Sequence, residues 1–565
     1  MGYKKIGLEK FDYFSSETYF SNRLQFLEKF LGQGDQAKES SASNRFLYLL
    51  TESKISGEAK IVVLFLLFCG RYPRMDEVKS LELLALQNDF SSLILHFMNL
   101  NEARTLVSNG FPLVLADISD DKILMDVTHT FSYPYNSGIQ RVVRKLSEYL
   151  RAPEPKVCFV KFGFVDRRLY CMSEQEVDQL ISWQNPKVEV KFRNWLSRNK
   201  YLRMAKLMIK KSEPLSRIAF RISFWLQSRE YTSRKKQSSG AVKVNTMEVP
   251  FVWGKKFLVP EVITDKSRVE TLNCLFAHFN VDSSMIVYDL IPVYRPEFCE
   301  LISREFVTYL SLLRYANKVS CISTHVKSQL ESFISNINYA HHRKPVIEAH
   351  YLGADFSKDI VHSELVESQK PLVCCVGSID PRKNQRAIMR ASVMAMDEGC
   401  HFRLLFVGNP GGENDDFLQE MAQLKQRGYD IDIKYSASDE ELNEIYRASK
   451  FSIFCSLAEG FGLPIVESIY HGKPCLAGDR DSMKEIGEIL GGCTFADPES
   501  ITDIAKEIKR LFEDQDLYKR LCEEAEVAKW PTWQQYSSEV FDFFSRSQFV
   551  SKQMPLNKQT SAELR

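Results

Sequence analysis

Over residues 1–118 apolar positions recur every three or four residues, as in Asn22–Phe30 and Leu81–Met98. That spacing predicts a helical extension. Its longest apolar run, Ile61–Cys69, is nine residues long and lies between Lys60 and Arg71. A membrane-spanning helix needs about 20 residues, so the run predicts a buried core helix. From Lys122 the pattern turns to short apolar blocks. ILMDVTHTF, VCFVKFGFV, FVWGKKFLV, SMIVYDLI and KVSCIS predict strands, with a helix over Gly138–Leu150 after the first. This unit is expected to close near His350. From Lys370 the blocks PLVCCVG, HFRLLFVG, DIDIKY, FSIFC and PCLAG alternate with helical stretches. Strands alternating with helices imply a parallel sheet covered on both faces, and ligands of such sheets bind at the carboxyl ends of the strands. The expected class is therefore α/β, with two Rossmann-like domains facing across a cleft. The boundaries are a helical extension over 1–118, a first domain over 119–350, a second over 351–548 and a flexible tail over 549–565.

Composition changes this picture little. Hydrophobic residues at 44% and charged residues at 26% are ordinary for a globular chain. A net charge of +1 makes any attraction to nucleic acid or membrane a local matter. The 13 cysteines include no C-x-x-C pair, which reads as reduced thiols of a cytoplasmic protein and draws no zinc site. The N-terminal residues Met1–Phe20 have no signal-peptide core.

The densest chemistry is AEGFGLPIVESIYHGKPCLAG, Ala458–Gly478. Strand FSIFC leads into a loop, and Pro464 suits the first position of the helix that follows. Gly460 and Gly462 allow a close backbone approach. The amides of Phe461, Gly462 and Leu463 at the helix start form a site for anionic or hydroxyl oxygens. Glu459 and Glu467, the latter expected in the first helical turn, are carboxylates suited to paired sugar hydroxyls. The alternative is that both acids complement the helix dipole.

This string resembles the E-x7-E signature of retaining glycosyltransferase family 4. Leu352-Gly353, Gly377–Asn384 (GSIDPRKN), Val407-Gly408 and Ser438–Leu442 accompany it in the right order. The resemblance implies the GT-B fold, a nucleotide-sugar donor as substrate, retention of anomeric configuration, and no metal or other cofactor. It also implies that Glu467 holds the ribose and Glu459 the transferred sugar, with Arg382 and Lys383 cradling the diphosphate. Many members carry Arg where this chain has Ser378, also at the donor site. GSIDPRKN instead resembles a mannosyltransferase-like subgroup with G-T-I-E-P-R-K-N.

In the first domain, Asn136–Arg144 (NSGIQRVVR) resembles the glycine loop facing the diphosphate, with Gly138 letting backbone amides approach. Tyr288–Pro292 (YDLIP) resembles the family's H-D-L-x-P, but Tyr288 stands where the family has His. Asp289 either positions substrate at the reacting centre or caps the turn before Pro292. His129 and Tyr133 are further cleft candidates. Phe65–Arg104 resembles small helical modules found beside some bacterial glycosyltransferases.

Asp479-Arg480-Asp481 has the form of a metal-binding D-x-D but is read as a helix cap. No two-histidine helix spacing suggests metal ligation. Residues 187–240 form a basic amphipathic insertion. Over 187–236 it holds 15 Lys or Arg against three Glu, interleaved with Trp195, Tyr201, Phe220, Phe224 and Trp225. Such a segment suits an anionic membrane surface; a core-packed helix with a basic face is the alternative, and nucleic acid is disfavoured. The expected function is transfer of a hexose, mannose from GDP-mannose first, to a lipid-linked cell-surface glycan such as O-antigen or capsule. The enzyme is expected in the cytoplasm or peripheral on the inner membrane face. An epimerase or phosphorylase of the same fold, and a catalytically dead glycan-binding protein, remain the alternatives.

Overall fold

The computed structural model describes residues 53, 55–87, 89–100, 114–132, 138–151, 156–164, 167–182, 248–299, 303–337, 344–354, 370–411 and 414–546, with 24, 27, 28 and 48–50. The insertion 187–236, Tyr133, Asn136 and the tail 549–565 lie outside the described residues.

The apolar run near the N-terminus is helical, as its pattern predicts: α1 (Gly57–Cys69) buries every residue from Ala59 to Cys69. Lys60 and Arg71, which bracket the run in sequence, are buried too. The Arg71 guanidinium pairs with Glu77 at 2.8 Å and sits 4.9 Å from the Phe65 ring centre. The predicted helix over Leu81–Met98 is two, Met75–Leu86 and Phe90–Asn99, because the second starts afresh at an Asp89 cap. The last residues of the expected helical extension form β1 (Val114–Asp117) instead. Its partner comes from far along the chain, so local periodicity could not reveal it.

The first domain contributes β2 (Ile123–Asp126), α2 (Gly138–Leu150), β3 (Val157–Phe162), β4 (Leu169–Cys171), β5 (Glu248–Phe251), β6 (Lys256–Val259), β7 (Asp282–Val287), β8 (Ala316–Cys321), α3 (Thr324–Asn336) and β9 (Val346–Ala349). Among the described residues these form a seven-stranded sheet in the order β4-β3-β2-β6-β7-β8-β9, while β1 and β5 pair by themselves. FVWGKKFLV, read as one strand, is thus split between β5 and β6 by a turn at Gly254 (φ +66). The pairs of the large sheet are parallel except β3 with β4.

The second domain contributes β10 (Leu372–Val376), β11 (Arg403–Val407), β12 (Ile431–Lys434), β13 (Ser449–Phe454), α4 (Leu463–Tyr470), β14 (Cys475–Gly478), α5 (Asp481–Leu490) and β15 (Cys493–Ala496). They build a parallel six-stranded sheet in the order β12-β11-β10-β13-β14-β15. Its interior strands are apolar and buried, as expected of a sheet covered on both faces. Two mostly parallel, helix-covered sheets with their carboxyl ends turned toward one another make this a GT-B architecture.

The final helix, α6 (Trp533–Ser545), falls within the second domain by the boundary at 548 but packs against α2 of the first. Lys256 Nζ donates to Ser545 O at 2.7 Å and Lys318 Nζ to Phe543 O at 2.7 Å, so two first-domain lysines satisfy carbonyls at the C-terminus of α6. The chain therefore crosses between domains twice, and the crossings run side by side. Trp530 Nε1 donates to Leu352 O (2.7 Å) and Ala354 N to Pro531 O (3.0 Å). A Cβ at Gly353 would lie 2.5 Å from Trp533 Cα, so the L-G pair is required by this crossing.

Candidate functional site

The loop after β13 meets the loop after β7 where the carboxyl ends of the two sheets face each other. A Cβ at Gly460 would stand 2.1 Å from Tyr288 O and 3.0 Å from Asp289 Cβ. Ser323 Oγ, just ahead of α3, donates to Gly460 O at 2.8 Å. The opposing acid Glu485 of α5 accepts from Thr324 N and His325 N, both at 2.8 Å, and from Tyr351 OH at 2.7 Å. A carboxylate of one domain thus caps a helix of the other.

Glu459 sits at this junction, 9% exposed. The turn Pro381–Lys383 follows β10, with Asp380 accepting from Arg382 N at 2.9 Å. It delivers Arg382 Nη1 to 2.9 Å and Lys383 Nζ to 2.5 Å from the same Glu459 oxygen. Arg382 also donates to Ala458 O at 2.6 Å, while Leu457 N donates back to Arg382 O at 2.8 Å. Burial by itself would raise the Glu459 carboxyl, but Lys383 and Arg382 overcome it and hold the group at about 2. Burial pulls the Lys383 ammonium below its ordinary value against the opposing pull of Glu459.

Asp289 faces this group from the first domain, partly buried. One oxygen accepts from Ile291 N at 3.1 Å, which is the turn-capping arrangement. Burial raises its carboxyl above the ordinary range; Arg382 and the Ile291 amide oppose this, and Glu459 adds to it. Tyr288 does not replace the family's histidine. Its ring is buried and its hydroxyl donates to Pro260 O at 2.6 Å, away from the cleft loops.

Glu467 lies in the second turn of α4, not the first, because the helix starts at Leu463 and Pro464 takes its second position. It is 4% exposed. Tyr446 OH donates to one of its oxygens at 3.0 Å and Arg141 Nη1 of α2 to the other at 3.1 Å. Gly462 (φ +118) is the N-cap of α4 and brings no capping side chain. The Phe461 side chain packs edge-on against Trp530, 6.0 Å between centroids, which leaves its backbone as the part at the helix start. Leu463 is half-buried and Ser378 exposed. A Cβ at Gly138 would meet nothing within 4 Å, so packing does not demand glycine there.

His129 heads a short helix whose N-terminus is held by Glu261, which accepts from His129 N and from Thr130 N (2.9 Å). Burial, helped by Arg268, lowers its imidazole to about 4. Arg268 bridges Asp126 (2.7 Å) and Glu261 (2.9 Å), and the side chains of all three are at most 2% exposed. This buried triad braces the turn after β2.

The expected cap at Asp479-Arg480-Asp481 is not formed. Arg480 occupies the N-cap of α5 without a side-chain capping bond, its guanidinium donating instead to Glu499 and Asp497. Asp479 pairs with Lys484 at 2.7 Å, and Asp481 has φ +54 with its carboxylate 3.6 Å from His325 Nε2. The local Asp-Arg-Asp-Ser spelling could not show that the first acid turns outward to a lysine.

Arg141, Tyr446, Ser323 and Glu485 escaped sequence reasoning. Arg141 lies inside the quoted G-I-Q-R string, so a signal existed, whereas the other three gain meaning only by meeting the opposite domain or a neighbouring helix.

Residues 357–527 match the family model "Glycosyl transferases group 1", so the second α/β domain is a glycosyltransferase group 1 domain. The chain is 28% identical over 294 residues to the serotype-specific mannosyltransferase WbdA of Escherichia coli, which takes in 49% of this chain and 34% of that protein. It is 29% identical over 140 residues to the O-antigen chain mannosyltransferase B of Escherichia coli, covering 25% of this chain and 36% of that one. The chain thus spans about a third of the length of these curated relatives. A solved structure, Anabaena Alr3699/HepE in complex with UDP and glucose, matches at TM-score 0.48 and 15% identity over 75% of this chain and 99% of that one. Among the described residues no helix is long and apolar enough to cross a membrane.

Proposed function

We propose that this chain is a retaining, metal-independent glycosyltransferase that moves mannose from GDP-mannose to a lipid-linked cell-surface glycan, of the O-antigen or capsule kind. The observation that carries the reading is the convergence of Arg382 and Lys383 on Glu459, at the carboxyl ends of two facing sheets. Breaking the bond between the anomeric carbon and the diphosphate oxygen places negative charge on the leaving nucleoside diphosphate. Two cations held in place beforehand stabilise that charge without reorganising. In this reading Glu459 orients both cations and accepts from sugar hydroxyls, and Glu467 takes the ribose. The amides of Phe461–Leu463 and the start of α2 at Gly138 face the phosphates, with Ser378 beside them. Asp289 stands on the acceptor side, its capped oxygen fixing the carboxylate toward the reacting centre. Mannose as the sugar is supported by the mannosyltransferase relatives and by the G-S-I-D-P-R-K-N string. Peripheral contact with the cytoplasmic membrane face through 187–236 is part of the proposal.

The test is a thermal-shift panel of nucleotide sugars, since a bound donor raises stability by mass action. GDP-mannose is expected to give the largest shift, followed by transfer or slow donor hydrolysis. A panel without any shift sinks the reading. Binding without transfer or hydrolysis favours the catalytically dead alternative, and epimerised or phosphorolysed product favours the other enzyme class.

A further inference from the structure

Glu467 is bound from both sides of the cleft. The donor to one oxygen, Tyr446, belongs to the same domain and is fixed by stacking on His471, with centroids 5.5 Å apart and planes 18° apart. The donor to the other oxygen, Arg141, belongs to the first domain. Its guanidinium lies 5.9 Å from the ring centre of Trp533, the first residue of α6. Trp533 in turn presses on Gly353 in the interdomain crossing. By contrast, the Arg382/Lys383–Glu459 cluster lies wholly within the second domain and survives any change in the angle between the domains.

We propose that Arg141 is a donor-positioning residue: its bond to Glu467 across the cleft orients the carboxylate for the ribose diol only while the domains are closed, so donor binding and closure are linked. The proposal rests on the reading of Glu467 as the ribose acceptor. Each carboxylate oxygen offers two lone-pair sites. One per oxygen is taken by a fixed donor, which sets the carboxylate plane and leaves one per oxygen for two neighbouring hydroxyls. Opening the cleft withdraws the guanidinium from an acid whose side chain is 5% exposed and leaves it, among the described residues, with Tyr446 alone, which is less favourable for a buried carboxylate. A ligand held by Glu467 therefore favours closure, and closure favours the ligand by the same factor.

The experiment is titration calorimetry of GDP and UDP, with donor kinetics, on the wild-type chain and on Arg141→Ala, Arg141→Lys, Glu467→Gln and the double variant Arg141→Ala/Glu467→Gln. Circular dichroism confirms that each variant folds. Arg141→Ala is expected to weaken both nucleotides roughly 10- to 100-fold, the range for losing a hydrogen bond to a charged group. Donor KM should rise in proportion while kcat changes less, and Arg141→Lys should recover part of the loss. Adding Glu467→Gln to Arg141→Ala should cost less than Glu467→Gln costs on the wild-type background, because the two residues are coupled. A 2′,3′-dideoxy nucleoside diphosphate should bind wild type and Arg141→Ala alike, which a merely structural role would not produce. X-ray scattering should show nucleotide-induced compaction in wild type but not in Arg141→Ala. If wild type binds GDP or UDP and Arg141→Ala binds it equally well, or if the dideoxy analogue loses affinity to the same degree, the inference is overturned and the proposed function stands. If wild type binds neither nucleotide, both fall.

Discussion

Replacing Lys383 with Met removes one cation from the Glu459 cluster while keeping a stem of similar volume against the Phe454 ring, whose centre lies 4.8 Å from Nζ. The Glu459 carboxyl is held at about 2 against an ordinary 4.5, and each pK unit is worth about 1.4 kcal/mol. The pull of the two cations, net of the opposing burial, therefore favours the ionised form by about 3 kcal/mol. Because its folded pKa is depressed, Glu459 contributes this stability above pH ~4.5 and loses it as pH falls through ~2. Burial moves Lys383 itself in the unfavourable direction, so the net stability gap between wild type and variant is smaller than this. That gap should be widest above pH ~4.5 and narrow toward pH ~2, below which Glu459 is protonated in both proteins. Catalysis should suffer more: loss of one fixed electrostatic group costs about 2–4 kcal/mol of transition-state stabilisation, roughly a 30- to 1,000-fold fall in turnover. Urea denaturation followed by circular dichroism between pH 7 and 2.5 measures the first effect, and transfer or donor hydrolysis at saturating nucleotide sugar measures the second. A folded Lys383→Met variant with near wild-type turnover would refute the diphosphate clamp. A stability gap that ignores pH would show that Lys383 acts by packing alone.

Gly460→Ala puts a methyl 2.1 Å from Tyr288 O, and backbone cannot yield as a flexible side chain can; the domains should be forced apart, with a larger radius of gyration and strongly reduced turnover, and a crystal structure with an unchanged cleft would contradict this. Lys318→Met leaves carbonyls at the end of α6 without their buried donor, which should cost about 1–3 kcal/mol in thermal or urea unfolding; an unchanged melting temperature would mean that α6 docks by its apolar face alone. Turnover should survive excess EDTA, and an absolute requirement for Mg²⁺ or Mn²⁺ would overturn the metal-independent reading. Vesicles containing anionic lipid should bind the chain at low salt and release it at high salt, with about 1 kcal/mol per cation near the surface; four Lys→Glu changes within 187–236 should abolish binding while transfer to a soluble acceptor persists, and indifference of wild type to such vesicles would place the segment in packed structure.

Much of the architecture is written in local pattern. Alternating apolar blocks and helices announce two parallel sheets, because a strand buried on both faces must be apolar throughout. Pro464 after the glycine pair marks the start of α4, and the nine-residue run Ile61–Cys69 can only be buried, as α1 is. The grouping of Glu459 with Arg382 and Lys383 could be anticipated because each follows a strand of one sheet, and the carboxyl ends of parallel strands necessarily share an edge. Other features depend on contacts between residues far apart in sequence, which no period or motif encodes. The short β1–β5 pair, the return of α6 to the first domain and the outward turn of Asp479 onto Lys484 are of this kind. So is the inward turn of Tyr288, whose hydroxyl satisfies Pro260 O in the core, where sequence shows only that a histidine is missing. Arg141 illustrates the division most directly. The string G-I-Q-R places it one turn into a helix, but the charge it compensates lies 326 positions away on the opposite domain. A Coulombic pairing depends on distance in space, and that distance exists only once the two sheets have met.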